Sequence, residues 1–60
     1  MSLHALVSTY LQPESAAVAI LAGQVSVNHR VCRQTARAVG AGDVVVVLDG
    51  DLPVVLGVAS

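Results

Sequence analysis

The segment Ile20-Leu21-Ala22-Gly23-Gln24-Val25-Ser26-Val27-Asn28, answered by Gly42-Asp43-Val44-Val45-Val46-Val47, constrains this chain more than any other feature. An apolar helical stretch halts at Gly23, a residue that takes a left-handed C-terminal cap without a Cβ penalty. The apolar period then changes to two: Val25 and Val27 alternate with Ser26 and Asn28, as in a half-buried strand. Gly42-Asp43 is a turn signal that returns the chain into residues 44–48, a continuous apolar run suited to a central strand. Helix, hairpin and return strand must follow in that order.

The flanking segments fit the same plan. Leu3, Leu6, Val7, Tyr10 and Leu11 fall at i, i+3, i+4, i+7 and i+8, the stripe of an amphipathic helix, and are expected in the core. Ser2 is placed to cap that helix, and the Gln12-Pro13 step ends it, because the residue before proline is pushed out of helical geometry. Pro13 then opens a second helix, with Glu14 favourable at the positive end of its dipole. The spacing predicts helices over about 3–11 and 13–22, with Ala16 or Ala17 and Ile20 inward. Asn28-His29 occupies a tight-turn position that demands positive φ, and a return strand through Val31, reaching toward Arg33, is expected. Residues 35–41 read as a loop pinned by Val39. Asp49-Gly50-Asp51 is another turn signal, and residues 52–58 form a last strand, at an edge because of Pro53.

Composition bounds the rest. Sixty residues, 55% of them hydrophobic but with Tyr10 the only aromatic, make one domain with a core of small aliphatic side chains. A chain this short buries only about 60% of the surface its unfolded form exposes. Some apolar groups are therefore expected at the surface, where a partner is their natural outlet. Net charge is −1, which alone argues against a nucleic-acid binder, but the charges are segregated. Arg30, Arg33 and Arg37, with His29 beside them, have no acid among them, whereas Asp43, Asp49 and Asp51 crowd a C-terminal third without a base. The single cysteine excludes an internal disulfide, and the longest apolar run, residues 16–22, is too short for a bilayer. With no Lys or Arg in the first 28 residues, no signal-peptide n-region is read, and a cytoplasmic location is the expectation.

The pattern I-x-x-G-x-V-x-V-N followed by G-D-V resembles the S-four domain, the small αL RNA-binding motif of ribosomal small-subunit protein four. The resemblance covers about residues 3–48. It implies an α+β fold in which two short N-terminal helices pack on a small, mostly antiparallel twisted sheet, residues 49–60 adding a turn and an extra strand. It further implies non-catalytic binding of structured RNA, of ribosomal or transfer type, through the second helix and the hairpin. The chain departs from the family where Arg, Lys and Ser usually line the second helix: residues 14–22 hold no base. RNA contact then falls to Asn28, His29, Arg30, Arg33, Gln34 and Arg37, the arginines on phosphates and Asn28 and His29 hydrogen-bonding at the turn. With Tyr10 in the core, no base-stacking platform supplements them.

Two other readings stand beside this one. Val18, Leu21 and Ala22 on the second helix, with Val54 and Leu56 in the tail, offer an aliphatic surface for a protein partner. On that reading the chain is an interaction or assembly module, a homo-oligomer or a subunit of a larger particle such as a virion. The V-x-V-N and G-D-V core also resembles the β-grasp sulfur carriers, which need an N-terminal strand and a terminal Gly-Gly; this sequence reads Gly57-Val58-Ala59-Ser60.

Catalysis finds no constellation. Glu14, Asp43, Asp49 and Asp51 form no carboxylate pair, and Asp43 reads as a turn residue bonding local backbone. His4, His29 and Cys32 lack metal-ligand spacing, so no metal or other cofactor and no small-molecule substrate are expected. Cys32 between Arg30 and Arg33 reads as a packing residue rather than a reactive thiol. The competing role for the arginines is a solvated hairpin edge that blocks strand aggregation.

Overall fold

Ser2 begins the first helix as its type requires. In the computed structural model, which describes residues 1–58, its backbone is extended (φ −82°, ψ 156°) and its Oγ accepts from the Ala5 N–H at 3.1 Å. Helix α1 spans Leu3–Val7, shorter than the periodicity predicts. Beyond Val7 the coil continues as turns, and two hydroxyls explain why. Ser8 Oγ donates to the His4 carbonyl and Thr9 Oγ1 to the Leu6 carbonyl, each at 2.7 Å, competing with the backbone ladder. The turn tightens, with Thr9 N–H on Leu6 O and Tyr10 N–H on Val7 O, both three residues back. Tyr10 is thereby thrown outward. It is 41% exposed, not a core residue, and its hydroxyl donates to Asp49 Oδ2 at 2.8 Å.

Helix α2, Pro13–Leu21, has Pro13 in its first turn and Glu14 beside it. It ends in a Schellman arrangement: Gly23 (φ 80°) donates to Ile20 O at 3.1 Å and Gln24 to Ala19 O at 2.9 Å. Ala16, Ala19 and Ile20 are buried, while Val18 and Leu21 are 66% and 61% exposed.

Strand β1 (Val25–Val27) turns through Asn28 and His29 into β2 (Arg30–Val31). Both turn residues have positive φ, 52° and 71°, the geometry of a type I′ hairpin without its usual glycine. The regular return strand stops at Val31 and does not reach Arg33. Strand β3 (Val44–Asp49) lies centrally and β4 (Leu52–Gly57) at an edge, joined by a Gly50-Asp51 turn in which only Gly50 has positive φ. The four strands run antiparallel in the order β2-β1-β3-β4. The segment between β2 and β3 is tied back to the first turn: Leu3 N–H donates to Arg37 O, His4 N–H to Thr35 O and Val39 N–H to Met1 O. Val39 is buried, as a pin should be.

The core is one layer. Leu3, Leu6 and Val7 from α1 and Ala16, Ala19 and Ile20 from α2 meet Val25, Val27, Val45 and Val47 on one face of the sheet. Opposed residues in an antiparallel pair share a face. Register therefore puts Ser26, Val31, Val44, Val46, Leu48, Pro53 and Val55 on the other face. Among the described residues no helix is long and apolar enough to cross a membrane.

Candidate nucleic-acid interface

The hairpin and the turn before β3 are locked by one side chain. Asn28 Oδ1 accepts from the Val44 N–H at 2.9 Å, and Asn28 Nδ2 donates to Asp43 Oδ1 at 3.0 Å. Asp43 Oδ2 in turn accepts from the Gly40 N–H at 2.9 Å. The V-N and G-D-V halves of the sequence pattern are thus two ends of one hydrogen-bonded bracket. Donors aimed at the Asp43 carboxylate hold its pKa below the ordinary aspartate value. The Asn28 amide contributes most, then the Gly40 N–H, with a smaller pull from the Arg37 charge; partial desolvation opposes them. The bracket occupies both ends of the Asn28 amide, so its first role is structural.

Beside the bracket, the residues from Arg30 to Arg37 wrap around a shallow hollow of about 320 Å³. Asn28, Arg30, Gln34 and Arg37 line it, with Cys32 at its inner side packing against the core. The Arg37 backbone is fixed by its carbonyl bond from Leu3, while Nη1 of its guanidinium is buried without a hydrogen-bond partner among the described residues. A charged donor left so is costly unless a water or an acceptor group completes it, and an oxyanion is one such acceptor. His29 is exposed at the hairpin tip. Four of the six residues the sequence points to therefore share one concavity, and His29 borders it in sequence.

Arg33 goes elsewhere. Its guanidinium lies over Gly23, where an added Cβ would approach Nη2 to 2.8 Å, and it does not line the hollow. The cationic surface is therefore two arginines facing one hollow and a third laid on the α2 C-terminus. That third placement has its own logic, since a cation near a helix C-terminus meets the negative end of the dipole.

A larger hollow of about 410 Å³ lies at the other end of the sheet, lined by Leu11, Val18 and Leu48 with Glu14 and Asp49 at its rim. Its carboxylates repel phosphate. Of the aliphatic surface expected from sequence, Val18, Leu21 and Ala22 are exposed on α2. Val54 and Leu56 are not comparably exposed. They pair with Val47 and Val45 on the helix-covered face, half-buried, and Leu56 packs against the core. The exposed apolar residues of β4 are instead Leu52 at 63% and Val55 at 69%. A uniformly apolar strand carries no alternation to reveal its facing; register set by the Gly50-Asp51 turn decides it. Among the described residues no three His, Cys, Asp or Glu side chains gather as a metal site.

Comparison with protein-family models, with curated proteins and with solved structures returned no match to this chain.

Proposed function

We propose that this protein is an S-four-type domain that binds structured RNA in the cytoplasm, of ribosomal or transfer type, without catalysing a reaction on it. The observation that carries the reading is the convergence of Arg30, Gln34 and Arg37 on one hollow beside the hairpin. Arg30 and Arg37 would meet phosphate oxygens, and an oxyanion drawn into the hollow would give the Arg37 guanidinium a partner that it lacks among the described residues. Gln34 supplies an amide for a ribose hydroxyl or base edge, and His29 a hydrogen bond from the tip. With two phosphate contacts the logarithmic salt dependence has a slope of about −1.4 to −1.8, so affinity is modest and RNA shape carries selectivity.

Fluorescence anisotropy with a labelled structured RNA, titrated across salt, tests this reading. Replacing Arg30 and Arg37 together by Ala abolishes binding and flattens the salt slope, whereas Arg33→Ala leaves the slope nearly intact. Equal loss from Arg33→Ala, or full binding by the double variant, rejects the hollow as the RNA site.

A further inference from the structure

The edge of the sheet opposite the hairpin is formed by β4. Among the described residues no strand pairs with β4 on its outer side, and Leu52, Pro53, Val55 and Gly57 are exposed along it. It carries no charge, and natural edge strands normally use charge, brevity or cover to discourage pairing. Its backbone direction follows from the bonds of β3. Leu48 N–H donates to Gln24 O and Val44 O accepts from Asn28 N–H, so the even-numbered residues of β3 bond toward β1. Val45, Val47 and Asp49 consequently bond to Leu56, Val54 and Leu52. That leaves the N–H and C=O groups of Val55 and Gly57, and the C=O of Pro53, pointing out from the free edge. Pro53 sits where its missing N–H costs the β3 ladder nothing.

We propose that β4 is a self-association edge, through which two copies of this chain join antiparallel about a twofold axis at Val55 to form one continuous sheet. Antiparallel pairing of a strand with itself is isologous, so each contact occurs twice without adjustment elsewhere. With Val55 opposite Val55 of the second copy, each donates to the other's carbonyl. Gly57 N–H of each copy meets Pro53 C=O of the other, the one reciprocal bond that proline leaves possible. Gly57 C=O of each copy faces the Pro53 nitrogen and stays with solvent, and registers with the axis nearer Pro53 move that missing bond toward the centre of the pairing. Side chains agree with this register. Val55 meets Val55 on the open face, Val54 meets Leu56 on the helix side, and exposed Leu52 reaches Val58 of the second copy. Residues 52–58, the paired segment, bring no charged side chains together.

Area sets the strength. A standard interface removes about 800 Å² per partner, roughly a fifth of the 3778 Å² this chain exposes. Pairing of a strand about 20 Å long covers less than that, which places the dimer in the weak, concentration-dependent class. The hollow at the β2 edge stays open in such a dimer, so this inference stands or falls separately from RNA binding.

Sedimentation velocity on the nuclease-treated full chain, from micromolar to millimolar concentration, tests the proposal. The expected result is a salt-insensitive monomer–dimer equilibrium. Val55→Pro removes only an outward N–H and weakens dimerisation at least tenfold while circular dichroism is preserved. Val55→Lys, which keeps the strand and adds facing charges, does the same if the proline variant misfolds. Arg30 and Arg37 replaced by Ala leave the equilibrium unchanged. A wild-type chain that stays monomeric throughout overturns the proposal. So does loss of dimer in Val31→Lys, on the open face, with Val55→Lys still dimeric.

Discussion

Asn28 and Asp43 carry more of the structure than their exposed or half-exposed positions suggest, because together they span the joint between hairpin and return strand. Their coupling has a pH signature. Asp43 has a depressed folded pKa, so its contribution is fully present above the unfolded aspartate value of about 3.9 and is lost as pH falls through the lower folded value. Thermal melts of the wild-type chain should lose midpoint steadily below about pH 4 on this account. In Asp43→Ala the midpoint is lower at neutral pH and the acid-side loss is smaller. Parallel curves for the two proteins would assign the acid sensitivity to another carboxylate. His29 shows the same joint from the other side. It holds φ 71° where glycine would sit without strain, so the hairpin retains an imidazole at its tip at some conformational cost.

Elements were legible in sequence wherever a backbone rule forced them. Ser2, Pro13, Gly23 and the Asn28-His29 turn stand where capping and positive-φ chemistry put them, and the α2 stripe faces inward through Ala16 and Ile20. What sequence could not show depends on side-chain competition or on register. The hydroxyls of Ser8 and Thr9 shorten α1 and expel Tyr10, although the apolar spacing continues past them. The facing of residues 52–57 follows from a turn rather than from their own composition. The split of the arginines reflects where Gly23 leaves room, which no spacing reveals. That glycine supports a prediction at this scale. Gly23→Ala forces a left-handed alanine at the α2 terminus and displaces the Arg33 guanidinium, costing about 1–2 kcal/mol. Urea denaturation followed by circular dichroism measures it. A neutral or stabilising outcome means that the α2 terminus readily adopts another cap.

For the molecule as a whole, the governing fact is a single core layer, with helices on one sheet face and, among the described residues, no element on the other. A 60-residue domain has a total stability of about 3–9 kcal/mol at the usual per-residue values. Ile20 is fully buried where α2 meets the sheet, and truncating such a side chain to alanine costs about 2–4 kcal/mol once the cavity is included. One substitution can therefore remove most of the margin. Ile20→Ala should leave the chain partly unfolded at room temperature, seen as a lowered urea midpoint or a missing native baseline. Leu21→Ala, one residue on and 61% exposed, should change stability by less than about 0.5 kcal/mol. If the two variants behave alike, α2 presents a different face to the sheet. The bracket and the hollow would then lose their support, because Gly23 could no longer deliver the chain into β1 at the required angle.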